Sequence, residues 1–301
     1  MHGTAETIRD ANLRYHDLAA GHYDSKWGIT YGPVGQAQVT GKLTKALGDT
    51  PAHFDRALEI GAGTGYFTLN LMRAGVIGEA VATDISPRML DALSASAGEL
   101  GLSVRTAACE ASSVPFDDSS FDLVFGHAVL HHLPDLAGAF REFRRVLRPG
   151  GAVAFCGEPS RYGDRIAALP KRGALAVAPL WRALVGAGRR DAVNGGGRGE
   201  EDRLERVVDV HAFTPGDLSR HAHAAGFERV RVRGEELVSG LFGWANRTLE
   251  STAEPAQVPW AWRMYAYRGY LILQRLDRTV LEPALPAAIF YNLLVSARVA
   301  R

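Results

Sequence analysis

The chain has 301 residues, 47% of them apolar and 22% charged, with a formal net charge of +1. That balance describes a globular chain with a large core, and it excludes both a disordered polyelectrolyte and a surface that gathers nucleic acid by bulk charge. Two cysteines, Cys109 and Cys156, sit in or beside apolar runs without metal-ligand spacing. They read as small core residues of a reducing compartment, so a cytoplasmic location is expected and no metal site is assigned. The polar N-terminus lacks the apolar stretch of a secretory signal, and no apolar run approaches the ~18 residues that span a bilayer.

Residues 4–48 read as two helices, broken by turn formers and aromatics at Tyr23-Asp24-Ser25-Lys26-Trp27-Gly28. Strand and helix patterns then alternate. Strands are expected at Arg56–Ile60, Glu79–Thr83, Ser103–Ala107, Phe121–Phe125 and Ala152–Phe155, with Pro149-Gly150-Gly151 as a turn before the last. Helices are expected at Thr68–Ala74, Pro87–Leu100 and Leu136–Leu147. Such alternation implies crossover connections and a parallel sheet covered by helices on both faces. After Glu158 the pattern changes to a long apolar stretch, Ala174–Gly186, a glycine-rich segment 194–199 and a charged run 200–206. A helix opens at Thr214-Pro215-Gly216-Asp217-Leu218 and stops at Gly226, and a half-buried strand follows around Val230 and Val232. Helices are expected over 237–251 and 259–281, and a final strand from Leu293 to Val299.

The chemistry concentrates in an ordered series. Ala57-Leu58-Glu59-Ile60-Gly61-Ala62-Gly63-Thr64-Gly65 is an apolar strand with an acid near its end, running into glycines at every second position. Glycines there let the backbone approach a ligand and turn into a helix. Asp84 ends the second strand, about 20 residues on, where a ribose-binding acid belongs. Glu110 follows the third strand. A sulfonium cofactor needs backbone partners for its methionyl end, a carboxylate for its ribose diol and an acceptor for its adenine amine. The C-terminal ends of adjacent parallel strands supply all three, so the series points to S-adenosylmethionine. The loop reads G-x-G-x-G rather than the G-x-G-x-x-G of dinucleotide sites, which argues against NAD.

With these motifs the chain resembles the class I S-adenosylmethionine-dependent methyltransferases, especially those that modify quinones and natural products. The resemblance runs from about Tyr15 to Glu158 and resumes at 211–236. It includes Ala82-Thr83-Asp84-Ile85-Ser86-Pro87, Val114-Pro115-Phe116-Asp117-Asp118, Leu130-His131-His132-Leu133 and Val146-Leu147-Arg148-Pro149-Gly150-Gly151. It implies a Rossmann-like α/β fold, with a seven-stranded, mostly parallel sheet, helices on both faces and helical cap insertions. Residues 1–50 become a helical cover and 51–158 the cofactor core. Residues 159–210 and 237–288 become insertions, 211–236 a core helix and strand, and 289–301 the final strand. In the cofactor site, the resemblance places Glu59, Gly61, Ala62 and Gly63 around the methionyl end and Asp84 on the ribose. Ile85 flanks the adenine, Glu110 and the Ala111 N–H take its edge, His127 lies near the sulfonium, and Tyr23 closes over the cofactor. Family members more often carry Asp at the Glu110 position.

A general base is needed only if the acceptor must lose a proton. His127 and Glu158 are the candidates, although Glu158 equally suits a helix cap or an arginine partner. His131 and His132 read as structural or helix-entry residues. The aromatics of the two insertions read as the walls of an acceptor pocket or as ordinary packing. A bulky, largely apolar small-molecule or lipid-like acceptor is therefore expected. The alternatives are a protein side chain as acceptor, or a non-catalytic cofactor-binding partner subunit. The stretch 174–186 reads as a peripheral membrane contact or a homodimer contact.

Overall fold

The structure is a computed structural model and describes residues 5–20, 29–48, 53–190 and 211–301. Tyr23, the segment 194–199 and the charged run 200–206 lie outside the described residues. In chain order the elements are α1 (Ala5–Ala19), α2 (Pro33–Leu47), β1 (Phe54–Ile60), α3 (Tyr66–Arg73), β2 (Ile77–Asp84), α4 (Pro87–Glu99), β3 (Arg105–Ala108), β4 (Phe121–His127) and α5 (Leu136–Val146). They continue with β5 (Leu147–Pro159), α6 (Arg161–Val185), α7 (Pro215–Ala224), β6 (Glu228–Glu235), α8 (Val238–Ser251), α9 (Trp260–Leu276) and β7 (Asn292–Arg298).

The seven strands form one sheet in the order β3-β2-β1-β4-β5-β7-β6. β1 pairs in parallel with β2 and β4, β2 with β3, and β4 with β5. Consecutive residues of β1, β4 and β5 are buried, as in a sheet covered on both faces. Val39 and Leu43 of α2 and Phe67 and Leu71 of α3 pack with Leu123 and Phe125 of β4. Phe143 of α5 lies 5.0 Å from Phe155 of β5, ring centre to ring centre. The chain reverses its direction of strand addition between β1 and β4, so a crevice opens at the C-terminal ends of β1, β2 and β4.

Element identity follows the sequence pattern, and the differences have local causes. Pro149-Gly150-Gly151 does not interrupt the fifth strand, which runs from Leu147 to Pro159. Gly150 takes φ +80° and the pairing register with β4 slips between Phe121 and Leu123, so the strand absorbs the turn signal as an irregularity. The last long helix closes at Leu276, where a π-helical turn, Asp277–Leu281, begins.

The chain divides into two compact units. In its described residues the first holds α1 to β5 up to 158, then 211–232 and 294–301; the second holds 159–190 and 233–293. The insertions were expected at 159–210 and 237–288, whereas the described residues of the second unit are 159–190 and 233–293. Its core gathers Trp181, Ala187, Ala253 and Val258, with Leu249 and Trp262 against them. The buried carboxylate of Asp277 accepts from the N–H groups of Leu237, Val238 and Ser239 at 2.9–3.1 Å, satisfying the start of α8. Among the described residues no helix is long and apolar enough to cross a membrane.

Candidate active site

Within the first unit a cavity of about 430 Å³ lies at the crevice, the size of a small-ligand site. The turn after β1 forms its floor. Gly61 takes φ +63°, and a Cβ there would stand 2.4 Å from Val129 Cγ2, so only glycine leaves this approach open. The Ala62 N–H donates to the Thr83 carbonyl at 2.8 Å, which fastens the turn to β2.

Asp84, at the end of β2, is 6% exposed and lines the cavity. Its Oδ2 accepts from the Gly63 N–H at 2.8 Å and its Oδ1 from the Ser86 N–H at 2.9 Å. One side chain thereby shapes both the glycine turn and the entry to α4. Each oxygen keeps a second acceptor position for a ligand. Ile85, Glu110 and Ala111 also line the cavity. The loop bearing Glu110 is braced beyond its far end by Arg145, which donates to the Val114 and Phe116 carbonyls at 3.1 and 2.7 Å.

Other expected residues stand elsewhere. Glu59 is buried and turned toward α3, where its Oε2 accepts from the Thr68 N–H at 3.0 Å and from the Thr68 hydroxyl. Burial pushes its carboxyl up to about 8, and the two Thr68 contacts only partly offset this. Glu59 therefore holds the turn from behind and is not among the residues lining the cavity. Ala62 and Gly63 likewise act from behind, through their backbone. His127 lies at the end of β4 with its ring stacked on Phe67 at 4.7 Å, also outside that lining.

Glu158 corrects the expectation of a candidate base. It is fully buried; its Oε1 accepts from the N–H groups of Val129 and Leu130, both at 3.0 Å, and its Oε2 from that of His131 at 3.1 Å. His131 Nδ1 lies 2.9 Å from the same Oε2. The carboxylate caps the turn Leu130–His132, the second role its sequence position allowed, and the imidazole completes the cap. His131 accordingly has a structural role, while His132 lines the cavity. Cys109, expected in the core, also lines it. Burial pushes the Cys109 thiol up to about 11, so it stays protonated at neutral pH.

The sequence reading missed the wall formed by α1. Glu6, Arg9, Asn12 and His16 recur on one helical face and line the cavity. Arg9 donates to Glu110 Oε1 at 3.0 Å. Asn12, 5% exposed, donates to the Ile8 and His132 carbonyls, while its Oδ1 is buried without a hydrogen-bond partner. His16 Nδ1 is also buried and unpartnered, and burial lowers the His16 pKa, keeping the ring neutral. The Ser86 hydroxyl donates to Asp17 at 2.5 Å, which fastens α1 to the start of α4. The available signal was a polar stripe at helical spacing, which ordinarily marks a solvated face.

Residues 58–155 match the family described as a methyltransferase domain. Over 154 residues the chain is 36% identical to a malonyl-[acyl-carrier protein] O-methyltransferase of Halorhodospira halophila, covering 51% of this chain and 50% of that protein. Over 149 residues it is 38% identical to a demethylmenaquinone methyltransferase of Roseiflexus castenholzii, covering 49% and 60%. The matches thus span about half to three-fifths of the length of these relatives. Among solved structures, a phosphoethanolamine N-methyltransferase 2 of Haemonchus contortus, in complex with phosphomonomethylethanolamine and S-adenosylhomocysteine, shares the fold. Its TM-score is 0.62 at 16% identity, covering 98% of this chain and 60% of that one.

Proposed function

We propose that this chain is a class I S-adenosylmethionine-dependent methyltransferase, a reading supported by the methyltransferase-domain match over residues 58–155, and that it methylates a bulky, largely apolar small-molecule or lipid-like acceptor. The observation that carries the reading is the convergence of Gly61, Asp84 and Glu110 on one cavity. The fit to the cofactor rests on this chain's own features. A Cβ at Gly61 would meet the wall, Asp84 has spare acceptor positions, and Asn12 and His16 each carry a buried polar atom facing no protein partner.

When bound, S-adenosylmethionine supplies a methyl group already activated on sulfur. The Gly61–Gly63 backbone and Glu59 behind it shape the methionyl end of the site. Asp84 receives the ribose hydroxyls, and Ile85, Glu110 and Ala111 receive the adenine. α1 forms one wall of the cavity. The protein's main contribution is alignment, worth roughly 7–11 kcal/mol when both reactants are held in a reactive geometry. Where the acceptor must lose a proton, His127 is the remaining candidate base, because the oxygens of Glu158 serve the backbone. One relative is named a malonyl-[acyl-carrier protein] O-methyltransferase, so carrier-bound acyl groups belong among the acceptors to be tested.

Calorimetry with S-adenosylmethionine, S-adenosylhomocysteine and NAD tests the cofactor, and binding of NAD alone overturns the assignment. Transfer of a labelled methyl group to lipid extract, to small aromatic acceptors, to carrier-bound acyl groups or to purified protein tests the acceptor. Label appearing only in protein side chains overturns the apolar-acceptor reading.

A further inference from the structure

Thirteen of the fifteen large apolar side chains exposed among the described residues belong to the second unit. α6 concentrates them. Its inner face is marked by the buried Gly163, Ala167, Ala174, Ala178 and Trp181, and it packs against α8. On an adjoining face, roughly 100° around the helix, Leu169, Val177, Leu180 and Leu184 recur at helical spacing, 51–78% exposed. A helix of a globular unit ordinarily turns polar residues outward, so an exposed apolar stripe beside the buried face marks an interaction surface.

Charge identifies what covers it. α6 carries Arg161, Arg165, Lys171, Arg172 and Arg182 against a single acid, Asp164. The described residues of the second unit hold thirteen Lys and Arg against seven Asp and Glu, in a chain whose net charge is only +1. Arg161, Arg165 and Arg172 fall along one flank of the Leu169–Leu184 stripe. Trp260, 73% exposed at the start of α9, adds an amphipathic aromatic of the kind favoured at a lipid–water boundary. A second copy of this unit would bring the same positive charge against itself. An anionic lipid surface complements both the leucines and the arginines.

We propose that the outer face of α6 docks the protein peripherally on an anionic lipid bilayer. The inference stands on this surface alone and holds whether or not the acceptor is a lipid. The leucines enter the acyl boundary while the flanking arginines pair with headgroups. The basic flank makes attachment depend on anionic lipid and on ionic strength.

The test is sedimentation of the full chain with vesicles of phosphatidylcholine alone, or with about one-third phosphatidylglycerol, at ~0.1 and ~0.5 M salt. Binding is expected on the anionic vesicles, weaker on the neutral ones and reduced at the higher salt. Leu180→Glu/Leu184→Glu is expected to weaken it by about tenfold or more, and Arg165→Gln/Arg172→Gln to weaken it on anionic vesicles only. Calorimetry with S-adenosylhomocysteine separates this outcome from the cofactor reading, and an unchanged helix signal in circular dichroism shows that the variants remain folded. Absence of vesicle binding, or binding indifferent to the glutamates, overturns the proposal. So does a homodimer that the same glutamates dissociate without any vesicle binding by the parent chain.

Discussion

Glu158→Gln separates a capping carboxylate from a catalytic one. In the parent chain one oxygen serves the N–H groups of Val129 and Leu130, and the other serves the His131 N–H and ring. An amide offers one oxygen. If that oxygen keeps Val129 and Leu130, the NH₂ group faces the His131 N–H, and a buried donor is left without an acceptor at about 1–3 kcal/mol. The surviving bonds also lose their charge assistance, so the whole change is expected to cost roughly 3–5 kcal/mol. For a unit of this size that lowers Tm by roughly 6–20 °C. Scanning calorimetry with and without S-adenosylhomocysteine reads it, because the ligand raises only the transition of the unit that binds it. A Tm within about two degrees of the parent, with turnover down ~10²–10⁴-fold, is the signature of a lost base and refutes the capping role.

Asp84→Asn leaves one of the Gly63 and Ser86 N–H groups without its acceptor and weakens the contact assigned to ribose. S-adenosylhomocysteine affinity is expected to fall about 10–100-fold by calorimetry, and an unchanged Kd defeats the assignment. Gly61→Ala places a methyl group against Val129 at a positive φ; it is expected to lower that affinity by at least about tenfold while circular dichroism holds its helix signal. A variant that binds normally shows that the turn does not meet the ligand. Burial raises Glu59 from 4.5 to about 8, so the folded chain retains a proton that the unfolded chain has released. Its contribution to stability is fullest below about pH 4.5 and is lost as pH rises toward about 8. Glu59→Gln should flatten the fall in urea midpoint across that window, and identical pH slopes in both proteins count against the buried acid.

The ends of β1 and β2 were legible because parallel strands put their C-terminal residues in one crevice and because Gly61 and Asp84 carry strong local signals. The direction of Glu158 was not. Strand alternation fixes a side chain's face only while the backbone stays extended, and Gly157 takes φ +74° immediately before Glu158. The Cβ position at Gly157 is filled by the His127 ring, 2.7 Å away, so the reversal depends on a contact 30 positions back in the chain. Glu59 was similarly ambiguous, since its role depends on Thr68 in the following helix. The α1 wall was hidden for another reason. Glu6, Arg9, Asn12 and His16 look like a solvated stripe until the ends of β2 and β3 are set beside them. The insertions were expected from their departure from strand–helix alternation, and sequence alone left the stretch 174–186 as either a peripheral membrane contact or a homodimer contact.

The Arg9–Glu110 contact has a consequence for the adenine. On the proposed reading, the carboxylate that receives the adenine amine is held beforehand by a guanidinium from the covering helix. Both partners are about half open to solvent, so the clasp is loose and yields readily. An adenine amine then meets a carboxylate already shared with Arg9, and added salt loosens the hold of the guanidinium on it.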